Sequence, residues 1–345
     1  MLKLKEGDKV LNSRKKKILQ AIVDEYIGTA EPVSSGSLTK KNGMDLSSAT
    51  IRNEMSDLER EGYLDKPHTS SGRIPSAKGY RLYVDEMLDD ENISIAEVKY
   101  IKEKLQDKVN EIEELTKIAT NTLSEITHYT TVAIGPKPNL QIIEEIKFML
   151  LGERMLIAII LTDTGLVRES IIKFDEDIRE EQIQILNNIF NTKLKGKPLE
   201  KIDTTIEDYM LSEIKYSVKV IKHIIDQINK IIEDESKIYL EGTKKSFDLP
   251  EFNSLQTAKR FVNVLDQKDL VLNLLESDIE NDINVYIGDE LENEELKDFS
   301  IITFKNKIKD KDAGTIGIIG PKRMDYAKVI SVMKYIKKLM ENGGK

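Results

Sequence analysis

The sequence predicts an α+β protein with more than one domain, and three observations lead to that class. The chain has 345 residues, which is enough for two or three domains. Residues 13–73 show three helical stretches followed by two strand-like pieces around a small Ser-Gly tip. Beyond them, strand-like runs stand both before and after a mostly helical middle, as in an α+β domain that carries an insertion.

The composition predicts packed cores and excludes several kinds of site. Hydrophobic residues make up 39% of the chain and charged residues 33%. There is no cysteine, which excludes disulfides, Cys-ligated zinc, iron–sulfur clusters and a thiol nucleophile. No run approaches the roughly 18 apolar residues of a membrane span, and the N-terminus lacks the apolar core of a signal peptide. We therefore expect a cytoplasmic protein with no membrane partner.

The negative charge is unevenly distributed along the chain. Residues 1–75 hold 13 Lys and Arg against 11 Asp and Glu, a balance of +2; since the whole chain carries −9, the remaining residues carry −11. A basic run, Arg14-Lys15-Lys16-Lys17, opens the first helical stretch and could contact phosphate or form an ordinary solvated face. If the N-terminal part binds DNA, this weak balance predicts modest non-specific affinity and a need for dimerisation.

The first helical stretches predict the beginning of a helix-turn-helix unit. Residues 13–27 carry apolar side chains at helical spacing. Pro32 stops any continuation, and residues 33–41 can hold a short second helix. Asn42-Gly43 is typical of a tight turn, since both residues tolerate positive φ. Three helices with a glycine-containing turn before the third form the core of such a unit.

The third helix carries a narrow apolar stripe. Ser47 or Ser48 is a plausible N-cap, and Ile51, Met55 and Leu58 recur at helical spacing. In recognition helices the N-terminal residues face base edges in the major groove. Arg can pair with guanine, Asn with adenine, and Ser with a base edge or phosphate. An amphipathic surface helix is the alternative. The candidate DNA contacts on this helix are Ser47, Ser48, Thr50, Arg52, Asn53 and Ser56.

A small hairpin, or wing, is expected after this helix. Gly62 suits the position that closes a helix, and residues 63–64 and 73–74 can pair around a polar tip. Such tips approach a phosphate backbone or a minor groove, and a neighbouring arginine would supply charge. The histidine in this segment can equally be a surface-loop residue. The candidate DNA contacts here are His68, Ser70, Ser71 and Arg73.

The rest of the chain alternates predicted helices and strands. Residues 93–126 contain no Gly or Pro and predict one long amphipathic helix, which we expect to pack on its own domain because it lacks a sustained coiled-coil register. Residues 89–92 are a predicted hinge. Further helices are predicted at residues 76–88, 180–194, 205–234, 255–276 and 324–340. Strands are predicted at residues 130–134, 142–150, 154–161, 166–174, 238–240, 283–287, 300–304 and 315–319.

No catalytic or cofactor motif is evident. Gly314, Gly317 and Gly320 match neither a dinucleotide-binding nor a P-loop pattern, and strand-edge glycines explain them better. The three histidines, at 68, 128 and 223, have no spacing that would place two of them beside a carboxylate for metal binding. We expect no catalytic residues, no metal site and no cofactor.

Two stretches at opposite ends of the chain resemble one known family. LSSATIRNEMSDLEREGYLDKPHTSSGRIPSAKGYRLYVDEML, residues 46–88, closely resembles the N-terminal domain of the heat-inducible transcription repressors, the HrcA family. GTIGIIGPKRMDYAKVI, residues 314–330, is similar to a motif near the end of the same family. The resemblance thus covers essentially the whole chain.

This resemblance implies a fold of three parts. Residues 1–90 would form a winged helix-turn-helix DNA-binding domain, and residues 93–140 with 236–345 a GAF-like α/β domain. Residues 141–235 would form an inserted dimerisation domain with a three-stranded antiparallel sheet plus helices. The fold class is accordingly α+β multidomain.

The resemblance also implies a function. A homodimer would bind double-stranded DNA at an inverted-repeat operator, repress chaperonin and DnaK-type chaperone operons, be kept active by the GroE chaperonin, and be released on heat stress. One alternative is a DNA-binding regulator controlled by a small ligand in the GAF-like domain. Another is an enzyme or a scaffold that uses the winged helix for protein contacts. The absence of a catalytic constellation favours a regulator that is not an enzyme.

Overall fold

The computed structural model describes residues 11–41, 46–67, 72–88, 93–105, 112–136, 141–165, 167–199, 218–233, 238–276, 282–308 and 311–342. In these residues the fold is mixed α/β, and the strands form three sheets: a two-stranded hairpin, a five-stranded sheet and a three-stranded antiparallel sheet. The mixed class and the three-stranded sheet confirm the coarse prediction.

The N-terminal helices lie close to where the sequence places them. They are α1 (Ser13–Thr29), α2 (Ser35–Lys41) and α3 (Ser48–Arg60). The Ser47 hydroxyl caps α3 by accepting from the Thr50 amide at 3.1 Å. Helix α1 ends at Ala30, which has a left-handed φ of 57°. The predicted turn at residues 42–43 lies outside the described residues.

A short hairpin follows α3 as predicted. Gly62 has φ +80°, which a residue without a side chain adopts at no steric cost. Strands β1 (Leu64–Asp65) and β2 (Ile74–Pro75) then pair antiparallel. Helix α4 (Ala77–Glu86) begins after Ser76, whose hydroxyl accepts from the Gly79 amide at 3.1 Å. We call residues 11–88 the N-terminal unit. The predicted hinge at residues 89–92 lies outside the described residues.

The prediction of one long helix over residues 93–126 is wrong. The chain forms α5 (Ile95–Leu105) and α6 (Ile112–Thr127), which pack against each other. The Tyr100 hydroxyl donates to Glu125, yet a continuous helix would hold residues 25 positions apart at about 37 Å. Both stripes are therefore buried within the fold. The link at residues 106–111 lies outside the described residues.

Strands distant in sequence build the five-stranded sheet. Its order is β7 (Ile238–Glu241), β3 (Thr130–Ile134), β10 (Lys311–Pro321), β9 (Phe299–Ile308) and β8 (Asn284–Ile287), and all its pairs are antiparallel. The sheet thus joins the segments before and after the helical middle. We call this sheet, with α5, α6 and the helices after β7, the body.

The three glycines near the C-terminus lie in the central strand β10, so their prediction as strand-edge glycines is wrong. A Cβ added at Gly317 would lie 2.6 Å from Leu275 Cδ2 and 3.2 Å from Thr303 Cγ2. Glycine at this position therefore leaves room for the Leu275 side chain to pack against the strand.

The three-stranded sheet forms between β3 and β7 in the chain. It consists of β4 (Ile143–Gly152), β5 (Met155–Thr162) and β6 (Val167–Lys173), in sequential antiparallel order. Helices α7 (Glu180–Leu194) and α8 (Val218–Glu233) cover one face and bury a separate apolar core. The start of the helix predicted at residue 205 lies outside the described residues, whereas residues 218–233 confirm its later part.

The remaining helices surround the five-stranded sheet. Short α9 (Thr243–Ser246) and the 3-10 turns Pro250–Asn253 and Gly288–Leu291 have no counterpart in the prediction. The helix predicted at residues 255–276 is broken at Gln267 into α10 (Leu255–Asp266) and α11 (Lys268–Glu276). Helix α12 (Tyr326–Glu341) closes the described chain.

One apolar core runs from the N-terminal unit into the body. It includes Ile18, Leu19 and Leu58 of the unit, and Phe304 and Met333 of the body, all of which are fully buried. A second core lies on the opposite face of the five-stranded sheet, against α10 and α11. Among the described helices, none combines the length and apolarity that crossing a bilayer requires.

Two fully buried threonines in the body provide a test of how paired and unpaired hydroxyls affect stability. The Thr303 hydroxyl is buried without a hydrogen-bond partner among the described residues, whereas the Thr120 hydroxyl donates to Thr116 O at 2.7 Å. We expect Thr303→Val to raise the free energy of unfolding by about 1 kcal/mol, because it removes an unpaired polar group. We expect the control Thr120→Val to lower it by up to about 1 kcal/mol. Urea denaturation followed by circular dichroism measures both, and equal effects of the two changes would contradict this account.

Candidate nucleic-acid interface

Helix α3 is held by its apolar stripe and presents its polar side outward. Ile51, Met55 and Leu58 are at most 4% exposed, and α3 packs on α1, α2 and β1. The polar contacts of its described residues all go to the N-terminal unit. The side opposite the stripe is therefore open to a ligand.

The serines and threonine at the start of α3 have structural partners. The Ser48 hydroxyl lies 3.0 Å from the Ser35 hydroxyl and so ties the first turn of α3 to the first turn of α2. The Ser47 hydroxyl lies 2.9 Å from that of Thr50. Ser47 is exposed, and Ser48 and Thr50 are partly exposed. These three residues shape the N-terminal end of α3 and remain accessible beside it.

Three polar residues on α3 have no competing partner. Arg52, Asn53 and Ser56 are exposed and form no hydrogen bond or ion pair with another described residue. They follow the first turn of the helix and lie on the side away from the buried stripe. The structure therefore brings together, on one open surface, a guanidinium, an amide and a hydroxyl. We call Arg52, Asn53 and Ser56 the polar face of α3.

The carboxylates of α3 are each matched by a cation. Glu54 lies 3.7 Å from Arg14, and Glu59 lies 2.7 Å from Arg73. Asp57 pairs with Arg60 and lies 3.7 Å from Lys15. Because each negative charge has a neighbouring positive charge, the acidic residues of this helix repel a phosphate backbone less than its composition suggests.

Most of the predicted basic run is engaged in the same arrangement. Lys15 Nζ lies 2.6 Å from the Glu61 carboxylate, and this hydrogen bond raises the pKa of Lys15. Lys16 pairs with Glu86 of α4, and Arg14 contacts α3. Lys17 is exposed. The run therefore fastens α1 to α3 and α4, a role that sequence spacing did not reveal because the partners are 40 to 70 residues away.

The arginine of the hairpin is also held within the unit. Arg73 Nε donates to Glu59 at 2.7 Å, and its backbone exchanges two hydrogen bonds with Val33, at 2.8 and 2.9 Å. Its side chain is 17% exposed. Arg73 thus joins the hairpin to α3 and to the segment before α2. The other predicted hairpin contacts, His68, Ser70 and Ser71, lie outside the described residues.

This arrangement can bind an anion-rich surface that also offers hydrogen-bonding edges. The polar face of α3 supplies a guanidinium, an amide and a hydroxyl, which are the kinds of group that pair with base edges, and the capped helix start lies next to it. Within the described part of the chain, no group of three or more His, Asp or Glu side chains is placed to hold a metal ion.

Comparison with known proteins places the chain in a family. Residues 113–330 match the family model of the HrcA protein C-terminal domain. The heat-inducible transcription repressor HrcA of Ruminiclostridium cellulolyticum is 38% identical, over 97% of this chain and 100% of its own length. That of Alkaliphilus metalliredigens is 39% identical, over 96% and 98%.

A solved structure has a similar fold. A crystal structure of a hypothetical protein is 25% identical in sequence, covers 97% of this chain and 99% of its own, and gives a TM-score of 0.69. The likeness extends over nearly the full length of both chains. The family model and the two repressors show that the chain belongs to the HrcA family of heat-inducible transcription repressors.

Proposed function

We propose that this chain represses chaperonin and DnaK-type chaperone operons by binding an inverted-repeat operator as a homodimer, and that heat stress releases it. The observation that carries this proposal is the polar face of α3, where Arg52, Asn53 and Ser56 are exposed and have no competing partner among the described residues. Membership of the repressor family supplies the regulatory context.

In this proposal the N-terminal unit is a winged helix-turn-helix domain within residues 1–90. Helices α2 and α3 are the helix-turn-helix, and the β1–β2 hairpin is the base of the wing. The N-terminal half of α3 enters the major groove, where Arg52 suits guanine and Asn53 suits adenine. Ser47, Ser48 and Thr50 lie at the groove edge, and the hairpin tip that carries His68, Ser70 and Ser71 approaches the backbone. Arg73 then acts indirectly, by fixing the hairpin against α3.

The same proposal divides the rest of the chain into two domains. Residues 93–140 and 236–345 form the GAF-like domain around the five-stranded sheet, and residues 141–235 form the inserted dimerisation domain. Separate apolar cores in the two regions support this division.

An open apolar sheet face supports the homodimer. Helices cover one face of the three-stranded sheet, while the other face carries Ile157 and Leu161 of β5 between exposed side chains of β4 and β6. Met149 is 41%, Val167 50% and Ile171 53% exposed. Exposed apolar side chains on one sheet face, here beside Lys147 and Glu169 on the neighbouring strands, are typical of interaction sites, and a two-fold axis would cover both copies at once. We assign this face to the second copy of the chain.

Dimerisation also compensates for the weak charge of the N-terminal unit. Because Arg14, Lys15, Lys16 and Arg73 are paired internally, the described residues of one unit offer few unpaired cations for phosphate. Two linked units bind two half-sites at a high effective concentration, which raises affinity without new contacts. An inverted repeat matches the two-fold symmetry of such a dimer.

The first prediction concerns base recognition by α3. Arg52→Ala and Asn53→Ala should each weaken binding to the operator by about 1–3 kcal/mol relative to scrambled DNA, because each removes a base contact. The matched control is Arg60→Ala, which removes an arginine from the last turn of the same helix, where it pairs with Asp57. Fluorescence anisotropy at several salt concentrations measures the ratio of the two affinities. An unchanged ratio in both variants would exclude α3 as the recognition helix.

The second prediction concerns the dimer surface. Ile171→Glu should give a monomer in analytical ultracentrifugation and reduce operator affinity, because two carboxylates would be buried at the two-fold interface. Leu255→Glu is the control, since Leu255 is 70% exposed on α10 of the body. A dimer that survives Ile171→Glu with wild-type affinity would place the interface elsewhere.

The third prediction concerns the GroE chaperonin. We expect operator binding to decline during prolonged heating of the purified protein, and to be retained or recovered when the chaperonin and ATP are present. Gel-shift assays on a time course measure this. Undiminished binding after heating without chaperonin would refute chaperonin dependence, while leaving the assignment of DNA binding intact.

A further inference from the structure

The two stretches that carry the family resemblance meet in the structure. Residues 46–88 end in α4 of the N-terminal unit, and residues 314–330 include the start of α12 in the body. The polar face of α3 uses neither α4 nor α12. The contact between α4 and α12 forms an interface between the N-terminal unit and the body, which we call the unit–body interface.

Arg81 reaches from the N-terminal unit into the body. Its guanidinium makes two parallel hydrogen bonds to Glu290, with Nε donating at 2.7 Å, and it also donates to Val285 O at 2.5 Å. Both side chains are 18% exposed. Glu290 in turn accepts from the Ile287 amide at 2.9 Å, so the carboxylate is fixed by the body's own backbone. A bidentate pair with fixed partners defines orientation as well as distance.

Arg323 makes the reciprocal contact from the body to the N-terminal unit. Glu251 of the body holds its guanidinium, with one N–O distance of 3.2 Å, and Arg323 Nη1 donates to Ile27 O near the C-terminal end of α1. The last carbonyls of a helix lack helical partners and carry partial negative charge. Arg323, whose side chain is 12% exposed, satisfies one of them.

An aromatic contact lies in the same interface. The rings of Tyr80 and Tyr326 are 5.7 Å apart between centroids, and both residues are at most 1% exposed. Tyr326 donates its hydroxyl to Lys322 O at 2.8 Å and lies 2.7 Å from the Ser300 hydroxyl. The interface therefore combines two oriented arginines with a packed pair of rings, which leaves little freedom for the unit to rotate on the body.

The path from this interface to α3 is short. Arg323 contacts α1 and Arg81 belongs to α4, and both helices pack on each other. Helix α3 packs directly on α1, to which Glu54 and Asp57 also pair. The orientation of α3 relative to the body is therefore set through α1 and α4.

We infer that Arg81 and Arg323 are positioning residues that hold the two recognition helices of the homodimer at one fixed separation, so that the protein selects inverted repeats by half-site spacing as well as by base sequence. This inference rests on the proposed function. Neither arginine contacts DNA in this account. In a dimer joined through the three-stranded sheets, a rigid unit–body interface removes one joint at which α3 could move relative to its counterpart.

The test compares Glu290→Gln with the wild-type full-length protein. Three duplexes serve as probes: the inverted repeat at its natural spacing, the same repeat with five base pairs inserted, and a single half-site. Five base pairs is about half a helical turn and puts the second half-site on the opposite side of the DNA. For Glu290→Gln we expect the preference for natural over altered spacing to fall about tenfold, with unchanged affinity for the single half-site.

The matched control is Asp85→Asn. Asp85 is the other carboxylate beside Arg81, at 3.2 Å, but it lies on the same helix and does not connect the unit to the body. The control removes the same charge and should keep the spacing preference. Arg323→Lys tests the interface from its other side, and it should lose the preference as Glu290→Gln does. Circular dichroism and the half-site affinity confirm that each variant is folded.

The outcomes separate the inference from the proposed function. If the wild type does not distinguish the inverted repeat from scrambled DNA, the proposed function fails. If the wild type does so and both interface variants keep its spacing preference, the positioning inference is wrong. Equal weakening on all three duplexes would overturn it too, by showing a general structural role. Tighter binding at natural spacing would also overturn it, since the interface would then restrain DNA binding.

Discussion

The apolar core shared by the N-terminal helices and the body constrains almost every other feature of the molecule. Ile22 and Leu58 of the unit belong to the same continuous core as Ile316 and Met333 of the body. Burying that surface gives most of the favourable free energy, but apolar contacts have little directional preference. Arg81 and Arg323 fix the orientation of the N-terminal unit on the body, because their hydrogen bonds form in only one orientation. Because α3 packs on α1, the same hydrogen bonds also set the orientation of α3 relative to the body.

The electrostatics of α3 follow from the same packing. A chain with a net charge of −9 and a helix rich in carboxylates would be expected to avoid DNA. The fold places Arg14, Lys15 and Arg73 beside those carboxylates, which leaves Arg52, Asn53 and Ser56 as the exposed polar groups of the helix without partners among the described residues. Such an arrangement favours recognition of base edges over general attraction to phosphate. It also explains why Arg14, Lys15 and Lys16 are poor candidates for contacts with the DNA backbone.

Local sequence patterns predicted much of the fold and little of what connects its parts. Helix spacing and capping residues located α1, α3 and α4 within a few residues, and alternation located β4 to β6. The break between α5 and α6 was missed because no Gly or Pro marks it, and the break at Gln267 for the same reason. The exposed Arg52 and Asn53 were recognisable from their offset to the buried stripe. The pairing of Arg73 with Glu59 was not, since no short-range pattern joins a hairpin to a helix face.

The shared core also bears on the response to heat. Asn306 is fully buried, and neither of its amide atoms has a hydrogen-bond partner among the described residues. It lies two residues beyond Phe304 on β9, and therefore on the face of the sheet that belongs to the shared core. A buried polar group without a partner costs about 1–3 kcal/mol, a large part of the margin that keeps a protein folded. The weakened region is thus one end of β9 within the shared core, six residues along the strand from Ser300, whose hydroxyl lies 2.7 Å from that of Tyr326 in the unit–body interface. Under the proposed function, a temperature that loosens this core would disturb the orientation of α3 before α3 itself unfolds, because the helix keeps its own contacts with α1 and α2.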